Sequence, residues 1–285
     1  MVWCVSRASS ESRKPANNRS GDFTSPPVPE YRDMQRVIIT GASSGIGTAL
    51  ARQYAQRGAI LGLIARRKSE LATLAAQLSV PCYIYPADVR DAPALQAAAA
   101  DFIVRHGNPD IVIANAGLSL GTLTEFAEDL AAFQDVIDIN VVGMVKTFQP
   151  VLAAMRAAGQ GTLVGIASVA GYRGLPGAAA YSASKAAAIS YLESLRVELR
   201  GSGINVVTIC PGYIITPMTA NNPYPMPFIL SAEAAAQRIV SIIDSGKTFA
   251  VFPWQMTVVA RLLRVLPNWL YDRLFGNAPR KPRRM

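Results

Sequence analysis

The chain has 285 residues, 51% of them hydrophobic and 16% charged, which is enough apolar material for one large core. One histidine and three cysteines without a CxxC spacing argue against a multi-histidine metal site and against Ser-His-Asp catalysis. The net charge is +9, and the segment after Gly246 supplies most of it through eight Lys or Arg against one Asp. A charge concentrated at the chain end argues against a nucleic-acid-binding face on the body.

The composition of the N-terminal region and the positions of the cysteines indicate the cellular compartment of the protein. Ser, Pro, Asn and charged residues dominate residues 1–33, and no apolar run of the signal-peptide type is present. We therefore expect a disordered extension that is not a secretory signal. Cys82 and Cys210 lie in apolar segments, which indicates free thiols in a reducing compartment and favours a cytoplasmic protein.

The first predicted element of the folded region is a short apolar strand from Arg36 to Thr40. A glycine-rich turn follows and leads into a helical pattern, which is the strand-turn-helix arrangement of a dinucleotide site. Glycine permits a tight turn and close backbone approach, and the start of the helix offers free N–H groups to a pyrophosphate. The predicted cofactor contacts in this turn are Gly41, Ser43, Ser44, Gly45, Ile46 and Gly47.

The second predicted strand, Ile60 to Ala65, indicates which nicotinamide cofactor fits. An NAD site usually carries an acidic residue here, which accepts hydrogen bonds from the adenosine ribose. This chain has Arg66 and Arg67 instead. The guanidinium fork suits a 2′-phosphate, so the sequence favours NADP(H) over NAD(H).

Strand and helix patterns then alternate without a break as far as residue 252. We predict helix 68–78, strand 82–85, helix 91–106, strand 110–114, helices within 130–156, strand 162–168, a helix ending at 200, strand 205–210, helix 232–245 and strand 248–252. This order predicts an α/β fold: a single doubly wound Rossmann-type domain over residues 34–253, with a seven-stranded parallel sheet flanked by helices.

A tyrosine and a lysine lie on one predicted helix at the spacing that puts them on one face. Tyr181 and Lys185 are four residues apart, and twelve residues separate Ser168 from Tyr181. A cation beside a phenol lowers the phenol pKa, which makes Tyr181 a candidate general acid. Ser168 is the hydroxyl that could fix the reacting oxygen.

The segment 254–285 is both apolar and basic, and its pattern predicts two helices divided at Pro267. Two interpretations stay open. Trp, Leu and Phe interleaved with Arg suit a helix lying on an anionic membrane surface, which would place the protein peripherally at the cytoplasmic face. Alternatively, the apolar stripe packs on the body or on a second subunit. A membrane span is not expected, because thirteen residues from Thr248 precede Arg261 and about 20 are needed.

From Gln35 to Phe252 the chain resembles the classical short-chain dehydrogenase/reductases. Its motifs occur in the expected order: the glycine turn already described, the adenine-pocket pair Asp88 and Val89, the motif Asn115, Ala116 and Gly117, the tetrad Asn140, Ser168, Tyr181 and Lys185, and the segment Pro211, Gly212 and Thr216 that closes over the nicotinamide. Many members have a second asparagine where this chain has Ala114.

This resemblance implies an NADP(H)-dependent oxidoreductase that transfers hydride between nicotinamide and a carbonyl or secondary alcohol. It implies that Tyr181 transfers the proton and that Lys185 lowers the Tyr181 pKa and bonds the nicotinamide ribose. Ser168 would hold the substrate oxygen. Asn140 would hold a water that connects Lys185 to solvent. By analogy, a homodimer or homotetramer is expected.

The segment after Thr216 is expected to cover the substrate site. Its apolar residues are Met218, Tyr224, Met226, Phe228, Ile229 and Leu230, and Leu118, Leu120, Tyr172 and Leu175 would extend the pocket. A hydrophobic or lipid-like ketone is therefore the favoured substrate. The alternatives are a soluble aldehyde or ketone reductase of broad specificity and a catalytically silent NADP-binding regulator.

Overall fold

A parallel sheet of seven strands organises residues 34–283, the part of the chain that the computed structural model describes. The extension predicted for residues 1–33 lies outside the described residues. The strands are β1 (Arg36–Thr40), β2 (Ile60–Ala65), β3 (Cys82–Pro86), β4 (Ile111–Ala114), β5 (Gly161–Ile166), β6 (Ile204–Pro211) and β7 (Phe249–Phe252). Their order in the sheet is β3-β2-β1-β4-β5-β6-β7, which confirms the predicted doubly wound α/β fold.

Helices cover both faces of this sheet. They are α1 (Gly45–Gln56), α2 (Lys68–Ala76), α3 (Ala92–His106), α4 (Asp129–Ile137), α5 (Gly143–Ala158), α6 (Ala179–Glu198), α7 (Ala232–Asp244), α8 (Trp254–Val265) and α9 (Asn268–Phe275). One apolar core lies between the sheet and α1, α2 and α7, and the other lies between the sheet and α3, α5 and α6. Because both faces are covered, β2 and β4 are buried at every position.

The strand order reverses between β1 and β4, since β2 follows β1 on one side while β4 pairs with its other edge. A crevice opens at such a reversal, outside the carboxyl ends of the strands, and ligands of doubly wound sheets bind there. The glycine turn after β1 and the loop after β4 both end at this crevice. The topology thus brings together motifs that are about 75 residues apart in the chain.

A π-helical turn at Asp138–Val142 joins α4 to α5. The resulting stretch, Asp129–Ala158, is the one helix among residues 34–283 with the length and apolar composition to cross a membrane. Its Phe148, Val151 and Met155 are at most 1% exposed and form part of the core beneath the sheet. Packing within the fold therefore accounts for its apolar character.

The tail helices α8 and α9 pack on the body within the same compact unit that begins at Met34. Met256 and Ala260 of α8 and Tyr271 of α9 are buried. Tyr271 donates its hydroxyl proton to the carbonyl oxygen of Gly174, and the Arg173 guanidinium lies 4.5 Å from the centre of the Tyr271 ring. The tail consequently has an inner face against the body and an outer face toward solvent.

Candidate active site

The glycine turn packs the backbone more closely than any side chain would permit. A Cβ atom on Gly47 would lie 2.2 Å from the carbonyl oxygen of Gly41, and Gly45 has a φ of +56°. Ser44 precedes α1 without any side-chain cap, and no acidic residue occupies the first turn. Ser44, Gly45 and Ile46 line the crevice, so free N–H groups of the helix start border it.

The two arginines predicted to select the cofactor lie at the rim of the same crevice. The Arg67 guanidinium donates to the carbonyl oxygen of Ser43 at 3.2 Å and to its hydroxyl at 3.0 Å. Arg66 is two-thirds exposed, with its guanidinium 3.9 Å from the Asp88 carboxylate. Hydrogen bonds from Arg90, together with the nearby Arg66, lower the pKa of Asp88. Positive charge therefore borders the crevice beside the glycine turn.

A side-chain network holds the two strand ends together. Thr40 Oγ1 accepts from the backbone N–H groups of Asn115 at 3.1 Å and of Ala116 at 3.2 Å. In return, the Asn115 amide donates to the carbonyl oxygens of Thr40 at 3.0 Å and Gly41 at 3.3 Å. Thr40 was not among the predicted site residues, although its position at the end of a strand before the glycines is a signal that could have identified it.

The catalytic candidates converge beyond these strand ends. Lys185 Nζ lies 5.8 Å from the centre of the Tyr181 ring and donates to the carbonyl oxygen of Ile166 at 2.7 Å. Ser168 follows β5, and its hydroxyl accepts from the N–H of Ala170 at 3.1 Å. Helix α6 presents Tyr181 and Lys185 toward this point because they are one turn apart.

The predicted lowering of the Tyr181 pKa by Lys185 is wrong for this structure. Burial raises the pKa of Tyr181, and the hydrogen bond with Ser168 acts in the opposite direction. Burial also lowers the pKa of Lys185 to about 8. In both cases the main cause is the cost of removing a charge from water, and for Tyr181 this cost outweighs the hydrogen bond with Ser168.

Asn140 lies within the π-helical turn and is 1% exposed. Its Oδ1 accepts from the N–H of Leu118 at 2.7 Å, while its Nδ2 donates to the carbonyl oxygen of Leu118 and to Ser184 Oγ, both at 2.9 Å. Ser184 in turn donates to the carbonyl oxygen of Tyr181 at 2.7 Å. Asn140 therefore links the loop after β4 to the helix that carries Tyr181, and π turns of this kind are frequent at functional sites.

The segment after β6 closes the crevice from above. A Cβ atom on Gly45 would lie 2.9 Å from Thr216 Cγ2, which shows how closely this segment approaches the start of α1. Gly212 donates its N–H to the carbonyl oxygen of Phe252 at 2.8 Å. Of all the predicted catalytic and cofactor residues, only Gly47 and Asn140 do not line the crevice.

A second cavity of about 270 Å³ adjoins this crevice. Ser168, Tyr181, Gly212, Met218 and Thr219 line both spaces. Further walls come from Val169, Leu175, Tyr213, Tyr224, Phe275, Ala278, Pro279, Lys281 and Ser119. The second cavity is largely apolar, and the candidate catalytic hydroxyls stand where it meets the crevice.

The predicted apolar pocket is only partly correct. Met218, Tyr224 and Leu175 line the second cavity, whereas Leu118 lines the crevice. The predicted residues that line neither space are Leu120, Tyr172, Met226, Phe228, Ile229 and Leu230. Backbone pairing explains part of this result, since Leu230 bridges to Ile214 and the segment turns outward, leaving Phe228 half exposed.

The tail residues Phe275, Ala278, Pro279 and Lys281 were missed as cavity residues. Their sequence pattern predicts only an apolar and basic tail, and no spacing rule connects them with Tyr181. Their place depends on where the tail returns to the body, which local sequence does not encode.

Comparison with known proteins agrees with this geometry. The family model described as short chain dehydrogenase matches residues 35–225. An uncharacterized oxidoreductase from Myxococcus xanthus is 40% identical over 238 residues, covering 82% of this chain and 94% of that protein. A short chain dehydrogenase from Burkholderia cenocepacia, solved in complex with NADP, aligns with a TM-score of 0.73 and 25% identity over 86% of this chain and 98% of its own. An alcohol dehydrogenase from the archaeon Thermococcus sibiricus, complexed with 5-hydroxy-NADP, gives a TM-score of 0.70 and 25% identity over 77% of this chain and 96% of its own.

Proposed function

The chain belongs to the short chain dehydrogenase family of NAD(P)-dependent oxidoreductases, and from this premise we propose that it reduces a hydrophobic ketone with NADPH. One observation carries the proposal. Ser168 and Tyr181 line both the crevice with the glycine turn and the apolar cavity beside it. A carbonyl held in the apolar cavity would therefore meet the hydroxyls at the edge of the cofactor site.

The crevice fits a dinucleotide with an additional phosphate. The turn from Gly41 to Gly47 leaves room for a pyrophosphate where side chains would clash, and the start of α1 offers N–H groups. Arg66 and Arg67 would hold a 2′-phosphate, and the NADP-type ligands of the two structural neighbours support this choice. Tyr181 and Lys185 would hold the nicotinamide ribose. When bound, NADPH supplies the hydride that reduces the carbonyl carbon.

The protein residues supply the proton and stabilise the developing charge. As the C–H bond forms at the carbonyl carbon and the C=O π bond breaks, Tyr181 donates its hydroxyl proton to the oxygen. Burial, which raises the pKa of Tyr181, keeps the phenol protonated at neutral pH but makes it a weaker acid, so the proton transfer depends on stabilisation of the developing charges by Ser168 and Lys185. Ser168 would donate a hydrogen bond to the same oxygen as negative charge develops. Lys185, buried beside Tyr181, would return a proton to it. The product is a secondary alcohol.

The direct test is a panel of carbonyl compounds with the purified protein, following NADPH and NADH oxidation separately. The panel should include long-chain ketones and small aldehydes of matched reactivity. We expect turnover with NADPH and a preference for the long-chain ketones. The absence of turnover with every carbonyl would refute the proposal and favour a silent NADP-binding regulator.

We also propose that the outer face of the tail contacts an anionic membrane surface. Trp254, Val258, Leu262 and Val265 are 49–76% exposed and lie on one side of α8, opposite the buried Met256. Trp269 and Leu274 of α9 are also exposed. Such a face would insert shallowly among lipid headgroups.

The charges near this apolar face suit anionic lipid. Arg261 and Arg264 on α8 and Arg273 on α9 are exposed, and the acidic residue of the two helices is Asp272. Basic residues near a membrane surface add roughly 1 kcal/mol each to binding when the lipid is anionic. A lipid-like ketone would then reach the active site from the surface on which the protein lies.

A further inference from the structure

The C-terminal segment 276–283 runs along one side of the substrate cavity and is anchored there. Gly121 donates its N–H to the carbonyl oxygen of Pro282 at 3.2 Å. Arg283 donates to Asp129 at 2.8 Å and to Glu128 at 2.9 Å, and its guanidinium lies 3.5 Å from the centre of the Phe126 ring. These contacts fix the chain immediately after Lys281.

The contact between Arg283 and Asp129 fixes the position of the C-terminal segment because the Asp129 carboxylate is buried. Asp129 is 4% exposed and also accepts from the N–H of Leu123 at 2.8 Å. Hydrogen bonds from Arg283 lower the pKa of Asp129, so the carboxylate is charged and paired. A buried carboxylate without a partner is strongly unfavourable, which ties the position of the chain end to that of α4.

Lys281 points in the other direction, into the cavity. Its Nζ donates to Ser119 Oγ at 2.7 Å, and both residues line the cavity wall. Burial lowers the pKa of Lys281. Within residues 34–283, no acidic side chain lies within ion-pair distance of this ammonium, although Arg283 two residues later has two.

An ammonium in this setting is suited to an anionic ligand. It has three N–H donors, and Ser119 takes one of them. The remaining cavity wall is mostly apolar, including Leu175, Tyr213 and Phe275. Lys281 is half-buried, and a partly desolvated cation is stabilised by an opposite charge that arrives with the ligand.

From this arrangement we infer that Lys281 and Ser119 form a carboxylate-recognition site, and that the substrates are hydrophobic oxo acids. The ketone lies at Ser168 and Tyr181, an apolar chain crosses the cavity, and the acid group meets Lys281. The inference rests on the proposed reduction. It makes Lys281, a residue of the tail, a determinant of substrate specificity.

The kinetic test compares each oxo acid with its methyl ester, using NADPH. In the wild-type protein we expect the acid to have the higher kcat/KM. In Lys281→Met, we expect the KM for the acid to rise about tenfold to a hundredfold while the ester is unchanged within about twofold. Lys281→Arg should keep part of the preference. Lys247→Met, which removes an exposed lysine, is the matched control and should change neither substrate.

A binding test needs no turnover and separates this inference from the proposed reaction. We expect dodecanoate to bind the wild-type protein at least about tenfold more tightly than dodecanol, with the difference lost in Lys281→Met. Equal binding of the two compounds to the wild type would overturn the carboxylate site. An equal loss of acid and ester turnover in Lys281→Met would overturn it as well, since the lysine would then act only on the structure. Thermal unfolding of each variant establishes that it is folded.

Discussion

The two halves of the active-site cleft are built from different parts of the chain. The cofactor half rests on the carboxyl ends of β1, β2 and β4 and on the turns that follow them. The substrate half is walled by residues 213–225 and by the chain end. The hydrogen bonds that fix the chain end span 162 residues between Lys281 and Ser119 and 154 between Arg283 and Asp129. The proposed cofactor site is thus built by the sheet, whereas the shape of the adjoining cavity depends on where the tail returns to the body.

The largest expected effect is at the junction of the two halves. Tyr181→Phe removes the proposed proton donor but keeps the ring, so we expect kcat to fall about 10²- to 10⁴-fold, while NADPH binding, which the glycine turn and the two arginines would still support, weakens less than about tenfold. Stopped-flow kinetics and NADPH fluorescence titration measure the two quantities. Tyr224→Phe is the matched control, because Tyr224 lines only the substrate half. A kcat for Tyr181→Phe within tenfold of the wild-type value would remove Tyr181 from the mechanism.

Replacing the arginines should affect the cofactor half alone. In the double variant Arg66→Ala, Arg67→Ala we expect the KM for NADPH to rise roughly 10- to 100-fold, since charge-assisted contacts to the 2′-phosphate are lost. The KM for NADH should change by less than about twofold. Steady-state kinetics with both cofactors measures this, with Arg52→Ala on the exposed side of α1 as control. Equal losses for NADPH and NADH would contradict the phosphate assignment.

Lys185 lies in the cofactor half, and we expect the burial of its charge to lower the free energy of unfolding of the protein. Its folded pKa of about 8 is below the ordinary value of 10.5, so the unfolded chain binds more protons between these pH values and stability rises with pH in that window. Lys185→Met removes a buried charge whose cost is present below pH 8. At pH 7 the lowered pKa corresponds to a cost of about 3 kcal/mol, whereas loss of the hydrogen bond to the Ile166 carbonyl oxygen costs the variant about 1–2 kcal/mol, so we expect it to be more stable by about 1–2 kcal/mol, although inactive.

The difference in unfolding free energy between Lys185→Met and the wild type should shrink between about pH 8 and pH 10.5. Urea denaturation of both proteins at pH 7 and pH 10 measures it, and other titrating groups cancel in the comparison. A difference that is the same at both pH values would show that the lysine is not destabilised by its burial.

The smallest expected effect concerns the outer face of the tail. In the double variant Trp254→Ser, Leu262→Ser we expect the fraction of protein that sediments with anionic vesicles to fall several-fold. The kinetics with a soluble ketone should be unchanged. Point substitutions are preferable to truncation, because removing the tail would delete the buried Met256 and Tyr271 together with Lys281 and would uncover the surface of the body on which the tail packs. Leu130→Ser, an exposed apolar position on α4, is the control. Unchanged vesicle binding would favour a protein partner for this face.

Much of the site could be predicted because its signals are local. The strand-turn-helix pattern around Gly41 to Gly47 and the four-residue spacing of Tyr181 and Lys185 each depend on residues close together in the sequence. Alternating strands and helices in this order lead to a parallel sheet. Asn140 was assigned only through the family resemblance, because a π turn inside a longer helix leaves no clear pattern in the sequence.

The sequence by itself determined the sheet, the glycine turn and the shared face of Tyr181 and Lys185, since these follow from local propensities and from one topological rule, whereas other predicted cofactor residues, such as Asp88 and Asn115, came from the family resemblance. Only the tertiary structure decided that burial raises the Tyr181 pKa, that Phe228 and Leu230 do not line the substrate cavity, and that Lys281 does. The physical reason is that desolvation and cavity shape depend on contacts between residues far apart in the chain. No local pattern specifies which surfaces such contacts will bury.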